Sequence, residues 1–185
     1  MLSSLYPSLP HILCFTEHHL NQQEIELIQI ESYTLGTSFC RTSFKMGGIC
    51  IFDNENLYFM NIDIRKFLHE RDIEAGAVKL SVNSLNICIL SIYRAPSSNF
   101  ALFLDKLEII LNLLYNNNTQ LIICGDININ YPVENNKKAL LDSLLASYNL
   151  TSTVYFPTRI QNTSATTTDS IFIKFPNWTI ILFFQ

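Results

Sequence analysis

The sequence predicts a layered α/β or α+β fold, in which antiparallel hairpins are interrupted by helices that cover sheet faces. Three observations carry this. Short apolar runs such as His11–Phe15 and Gln120–Cys124 have the length of buried strands. Ala77–Val82 alternates apolar and polar side chains and meets the apolar run Leu85–Tyr93 across the two-residue connection Asn83-Ser84, a hairpin signature. Between Phe100 and Leu114 the period changes to that of a helix: Phe100, Phe103, Leu104, Leu107, Ile110, Leu111 and Leu114 share one face.

Along the chain, His11-Ile-Leu-Cys-Phe15 is a strand that delivers Thr16-Glu17 at its carboxyl end. Asn21-Gln-Gln-Glu24 reads as a helix start, with Asn21 as N-cap and Glu24 as its reciprocal partner, in a helix ending near Ile30. Tyr33–Phe39, Gly47–Phe52 and Leu57–Ile62 are the next strands, with Asp53-Asn-Glu-Asn56 as a turn. Asn116-Asn-Asn118 stops the long helix, and Gln120–Cys124 empties into Gly125-Asp-Ile-Asn128. Lys137–Tyr148 repeats Leu140, Leu141, Leu144 and Leu145 at helical spacing. Short polar strands and a loop around Pro157 follow, then a strand over Thr166–Lys174 and a terminal apolar strand over Trp178–Phe184.

Bulk properties narrow the function classes. With 48% apolar and 15% charged residues the chain is globular, and its 185 residues suit one domain. A net charge of −4 argues against general coating of a polyanion, so any nucleic-acid contact is local. Acidic residues that hold a cation still suit a phosphate substrate, since the ion supplies the positive charge. The five cysteines stand singly, without Cys-x-x-Cys spacing, and read as reduced core residues. The amino terminus lacks a basic, then apolar, leader, and the terminal apolar run is shorter than the roughly 20 residues that span a bilayer. The expectation is an intracellular protein of nucleus or cytoplasm, neither secreted nor in the membrane. Asn-x-Ser/Thr triplets at Asn149, Asn162 and Asn177 are then chance matches.

The chemistry-bearing residues sit at strand ends. In Gly125-Asp-Ile-Asn128 a glycine turn lets a carboxylate and an amide project from the sheet edge; the plain alternative is an Asx turn closing a strand. Glu17 and Asp169 add carboxylates from other elements, and hard divalent cations take one or two carboxylates with water and phosphate oxygens. Single strand-end acids are more often turn residues. His18 and His19 invite zinc, but neighbours on an extended segment point opposite ways and no His-Glu-x-x-His helix exists. Tyr93 and Arg94, at a bend fixed by Pro96, could both reach a phosphate; the alternatives are a half-buried aromatic and a surface cation.

Taken together and in order, Phe15-Thr-Glu-His-His-Leu20, Gly47-Gly-Ile-Cys50, Ser91-Ile-Tyr-Arg-Ala-Pro96, Gly125-Asp-Ile-Asn128 and Thr166-Thr-Thr-Asp-Ser-Ile-Phe172 resemble the endonuclease/exonuclease/phosphatase superfamily. The details are similar to the endonuclease of non-long-terminal-repeat retrotransposons and to apurinic endonucleases. The resemblance covers about His11 to Phe175. It implies a four-layer α/β/β/α sandwich of two mixed sheets over residues 1–185, incomplete at both ends.

The resemblance also implies Mg2+, with Mn2+ as a substitute, and DNA as partner, beside or fused to a reverse transcriptase. Glu17 would ligate the metal. Asp126 would orient or deprotonate the attacking water, Asn128 would hold a phosphate oxygen, and Tyr93 would donate to the same phosphate. Arg94 is a further phosphate contact. Asp169 matches the acid that orients a catalytic histidine. This sequence departs from the pattern twice: the asparagine strand that precedes the glutamate motif is missing, and no histidine follows Asp169. The expected function is a DNA-nicking endonuclease impaired by these losses. The alternatives are an inactive remnant that binds at most, or a phosphatase of the same fold acting on a small phosphorylated substrate or lipid headgroup.

Overall fold

The computed structural model describes residues 9–82, 85–161 and 164–174. Ile12–Thr16 (β1), Tyr33–Phe39 (β2) and Ile49–Asn54 (β3) form a three-stranded antiparallel sheet in the order β1-β3-β2. A second sheet has six strands. It contains Phe59–Ile62 (β4), Glu74–Val82 (β5), Leu85–Tyr93 (β6), Thr119–Asp126 (β7), Thr151–Ser152 (β8) and, after a small hairpin of Arg159–Gln161 (β9) with Ser164–Thr166 (β10), Asp169–Ile173 (β11). Its order is β4-β5-β6-β7-β11-β8. Among the described strands only β6 and β7 run parallel, and the helix Phe100–Leu114 (α2) makes the crossover between them.

The alternation of side chains along each strand builds four layers. Ile12, Cys14 and Ile51 of the small sheet meet Val78, Leu80, Ile89, Ile122, Cys124 and Ile173 of the large one in an inter-sheet core. Residues one position away face outward: Leu13, Cys50 and Phe52 pack on Ile25 of the short helix Gln22–Leu27 (α1). Ala75, Ala77, Leu90, Ile92, Leu121 and Ile123 are covered by α2 and by Asn136–Ala146 (α3). The predicted α/β/β/α layering is therefore observed, but of the two sheets expected to be mixed only the six-stranded one is. The described strands of the small sheet are all antiparallel, and the crossover helix α2 serves the large sheet.

Local chemistry fixes most of the boundaries. Asn21 accepts from the Glu24 amide while the Glu24 side chain accepts from the Asn21 amide, the reciprocal box the sequence predicts. The helix nevertheless stops at Leu27 rather than near Ile30, because Ile30 bridges to Tyr33 across a turn with Ser32 at φ 68°. Asp53 and Asn54 belong to β3 instead of a turn: β1 and β2 claim both edges there, pairing Asp53 with Ile12 and Thr34. The turn shrinks to Glu55 and Asn56, and β4 begins at Phe59 rather than Leu57. Gly47 and Gly48 stand before β3 at φ 122° and 89°, backbone that a strand residue would not adopt. The predicted hairpin pairs as expected, with β5 reaching back to Glu74; its connection at 83–84 lies outside the described residues, as does the predicted strand Trp178–Phe184. The late strand is shorter than Thr166–Lys174, opening at Asp169. No helix among the described residues is long and apolar enough to cross a membrane.

Candidate functional site

Register across the large sheet puts four polar residues in one row. Glu74 of β5 pairs with Tyr93 of β6, Tyr93 with Asp126 of β7, and Asp126 with Asp169 of β11. Each is an even number of positions from a member of the inter-sheet core (Val78, Ile89, Ile122 and Ile173), so the row belongs to that face of the sheet and ends it.

The small sheet contributes Glu17, just past β1. Its backbone is left-handed at φ 55°, and its amide donates to the Gly48 carbonyl at 2.8 Å. His19 repeats this at φ 61°, donating to the Gly47 carbonyl at 2.9 Å. A non-glycine residue pays about 1 kcal/mol or more for this conformation, so the paired loop must hold it. The link across the sheets is direct: the Tyr93 hydroxyl donates to Glu17 Oε1 at 2.6 Å. Burial, then the bond to Glu17 and the charges of Glu17 and Asp126, push the Tyr93 phenol well above its ordinary range, so it stays a donor.

His18, between these two, is committed elsewhere. Nδ1 accepts from the Leu20 amide at 3.0 Å, which leaves Nε2 to donate to the Phe39 and Ile49 carbonyls, each at 3.2 Å. Burial lowers its pKa. A neutral, fully used ring is a structural part, and its position explains Gly48: a Cβ there would come within 2.6 Å of the imidazole.

Asp126 is 8% exposed, and its pKa is raised to about 6. Burial is the largest cause; the bond from the Asn128 amide opposes it, Asp169 and Glu17 add repulsion, and Arg159 relieves some. Asn128 N donates to Asp126 Oδ1 at 2.8 Å with Asn128 at φ 50°, so an Asx turn is present as well. Gly125 makes the approach to β6 feasible: it lies at φ 133°, and a Cβ would sit 2.0 Å from the Ile92 carbonyl oxygen. Asp169 opens β11 beside Asp126, its amide donating to Thr158 Oγ1 at 3.3 Å.

Arg94 is placed differently from the expected phosphate contact. It is 1% exposed, and it donates to the carbonyls of Ile127 (2.7 Å), Asn128 (2.9 Å) and Ala95 (3.3 Å) and to Ser98 Oγ. Asn128 Nδ2 returns a bond to the Arg94 carbonyl at 2.9 Å. The guanidinium is thus a clamp between two loops, because the carbonyls after Asp126 turn inward and need donors. Sequence reasoning missed Arg41 and Glu74. Arg41 Nε and Nη2 each lie 2.6 Å from Glu74 Oε1, and its guanidinium stands 5.7 Å from the Tyr93 ring centroid. Counting outward from a two-residue hairpin connection would have paired Glu74 with Tyr93.

Among the described residues, no three His, Cys, Asp or Glu side chains stand close enough to hold a metal between them. The rim therefore lacks a protein-only cage. It offers separate carboxylates, with Glu17 exposed.

No protein-family profile and no curated protein matches the sequence. Solved structures do. The endonuclease domain of TRAS1, a telomere-specific non-LTR retrotransposon, aligns with a TM-score of 0.66 at 15% identity over 88% of this chain and 71% of that one. An AP endonuclease from Archaeoglobus fulgidus gives 0.58 at 12% identity, over 89% and 76%. ANGEL2, a 2′,3′-cyclic phosphatase, gives 0.53 at 16% identity, over 88% and 70%. At such identities the likeness speaks for architecture, and the chain has the endonuclease/exonuclease/phosphatase fold, one shared by nucleases and phosphatases.

Proposed function

We propose that this chain is a metal-dependent phosphodiesterase domain of the DNA-nicking kind, with weak activity in the form of these 185 residues. The single observation that carries the reading is the meeting of Glu17, just past β1, with Tyr93, Asp126 and Asp169 of β6, β7 and β11 at one rim, with Tyr93 hydrogen-bonded to Glu17. The likeness to the endonuclease domain of TRAS1, a non-LTR retrotransposon, supports DNA as the phosphodiester and a retroelement origin; a reverse transcriptase beside or fused to the chain is part of this proposal.

The donor set suits Mg2+ or Mn2+ in one form: Glu17 as the protein ligand, with water and phosphate oxygens completing the shell. When bound, such an ion neutralises charge on the scissile phosphate. The protein's own groups supply the rest. Asp126, half-protonated near pH 6, accepts the proton of an attacking water above that pH. Tyr93 keeps its single proton, held by Glu17 in this structure; once Glu17 turns to a cation, that proton is free to be donated where negative charge builds. Asn128 has a second Nδ2 hydrogen for a phosphate oxygen while the first holds the Arg94 carbonyl. Among these 185 residues no histidine follows Asp169 to fill the place of the imidazole that the family's acid orients: the four, His11, His18, His19 and His69, all precede it. An absent imidazole is commonly worth orders of magnitude in rate, which is the basis for expecting weak activity.

The test is nicking of supercoiled plasmid by the purified chain with Mg2+. Slow nicking that is lost in Glu17→Ala and in Asp126→Ala is the expected result. Nicking that survives either substitution, or that ignores the cation, overturns the reading. Metal-dependent DNA binding without nicking would favour an inactive binding module. Phosphate release from an inositol phosphate without nicking would favour a phosphatase, the activity that the name of the ANGEL2 neighbour brings into consideration.

A further inference from the structure

Glu74 stands at the end of the polar row and is 0% exposed, yet the roles above do not use it. A buried carboxylate is costly unless its lone pairs are filled, and these are. Oε1 accepts from Arg41 Nε at 2.6 Å and from the Arg71 amide at 2.7 Å; Oε2 accepts from the Gly48 amide at 2.7 Å. These donors come from both sheets. Glu74 lies on β5 of the large sheet, while Arg41 and Gly48 flank the loop that leads from β2 into β3 of the small one.

Two routes run from Glu74 to Glu17. In the first, the Gly47–Gly48 peptide is held by the Gly48 N–H on Glu74 Oε2; its own carbonyl, that of Gly47, receives the His19 amide at 2.9 Å, and the Gly48 carbonyl, one peptide further on, receives the Glu17 amide at 2.8 Å. Gly48, anchored by Glu74, thus holds the left-handed backbone at Glu17 and His19. In the second, the Arg41 guanidinium bound to Glu74 lies 5.7 Å from the centroid of the Tyr93 ring, whose hydroxyl holds Glu17 Oε1. Gly47 makes room for this, since a Cβ there would come within 2.4 Å of Arg41 Cζ. Backbone and carboxylate of Glu17 are therefore both set from one buried acid.

We infer that Glu74, acting through Arg41 and the two peptides that flank Gly48, is the positioning residue for Glu17. The inference rests on the proposed function only in calling Glu17 a metal ligand; the positioning itself is readable without a metal. Groups that orient a metal ligand from behind typically change affinity 10–100-fold when altered.

The variant is Glu74→Gln. Either orientation of the amide sets its NH2 against a donor, Gly48 N–H on one side or Arg41 and Arg71 N–H on the other. Amide hydrogen exchange on the metal-free chain is expected to show at least about a 10-fold loss of protection at Glu17 and His19, while Ile122 and Ile123 of β7 keep theirs. Unchanged protection at Glu17, or an equal loss at β7, overturns the inference. Mn2+ titration followed by electron paramagnetic resonance supplies the second readout. Site-specific binding that Glu17→Gln abolishes should weaken about 10-fold in Glu74→Gln and be insensitive to Glu74 once Glu17 is gone. Glu17-dependent binding that Glu74→Gln leaves intact also overturns it. Mn2+ binding indifferent to Glu17→Gln would instead sink the metal reading, and exchange at Glu17 would still decide the positioning. If Glu74→Gln does not fold, Arg41→Lys, which keeps the charge and loses the paired contact and the stacking, is expected to shift both readouts the same way by a smaller factor.

Discussion

Asp53 offers a sharp test of the packing, because it is charged chemistry in an apolar place. It is 0% exposed near the carboxyl end of β3, and neither carboxylate oxygen has a partner among the described residues. Oδ2 occupies the space that a Cβ on Gly36 would need, at 1.9 Å, and Val78 closes the same spot from the large sheet. Burial alone raises its pKa from 3.8 to about 7. The folded pKa lies above the unfolded one, so the folded chain binds more protons between them, and stability falls as pH rises from about 4 to about 7. Below that window both states carry the proton and nothing is lost; above it the loss is complete. At about 1.4 kcal/mol per pH unit the loss is about 4 kcal/mol as a ceiling, and roughly 2 kcal/mol once water penetration is allowed for. Asp53→Asn has the same shape and cannot ionise. Urea unfolding followed by circular dichroism from pH 4.5 to 8.5 should show the variant gaining on the parent by about 2–4 kcal/mol across that range. Asp126 acts in the same sense and His18 in the opposite one, but both are common to the two proteins and cancel in the difference. Parallel curves would mean that the carboxylate finds water or a partner, and the reasoning would be wrong.

Other substitutions probe the site's supports. Gly125→Ala puts a methyl 2.0 Å from the Ile92 carbonyl oxygen at φ 133°, and should cost about 3 kcal/mol or more, a fall of roughly 6–12 °C in melting temperature for a chain of this size. Arg94→Lys leaves the Ile127 and Asn128 carbonyls short of donors and should cost about 2–4 kcal/mol in urea unfolding. Its DNA binding, measured against salt at a temperature where it is folded, should keep the parent's slope; a slope reduced by about one would show that Arg94 meets a phosphate. Tyr93→Phe should cost about 1 kcal/mol in stability or less, because Glu17 is exposed and water can replace the phenol, yet lower plasmid nicking about 10-fold or more. A Tyr93→Phe protein that nicks at the parent rate removes the phenol from the proposed chemistry.

Features set by local rules were legible in the sequence. Asn21 and Glu24 are three residues apart, so their capping box depends on nothing distant. The hairpin of β5 with β6 follows from alternation around a two-residue connection. Features set by competition between distant elements were not. Asp53-Asn-Glu-Asn has the composition of a turn, and only the presence of β1 on one edge and β2 on the other draws its first half into a strand. Gly47-Gly48 reads as the start of a strand until the Arg41 and His18 side chains that need the space are known to lie there. Arg94 follows a strand aromatic and precedes a proline bend, which is where a surface cation belongs. Its burial depends on carbonyls more than thirty residues later, at Ile127 and Asn128. An arginine with five donors is suited to that task, and spacing alone does not announce it.

The contrast between Asp53 and Glu74 separates two uses of a buried acid. Both are 0% exposed, on facing sheets. Asp53 meets Gly36 and Val78, gains nothing from its charge, and is expected to carry a proton through much of the acidic range. Glu74 meets three donors from separate segments and orders a loop. The difference lies at opposite ends of the inter-sheet space. Near Asp53 the neighbours are apolar; at the rim, Glu17, Asp126 and Asp169 repel one another, and the offsets are one phenolic proton, Arg41 against Glu74 and Arg159 near Asp126. Since Glu74 consumes the charge of Arg41, the remaining acids face a deficit of positive charge. A divalent ion would relieve it, and so would protonation of Asp126 near pH 6. Binding of Mn2+ should therefore release protons most strongly just below pH 6, where Asp126 still holds one, and hardly any above pH 8. Proton uptake or release measured by titration in two buffers of different ionisation enthalpy checks this. Metal binding with no proton release at pH 5.5 would separate Asp126 from the ion and divide the rim into two independent parts.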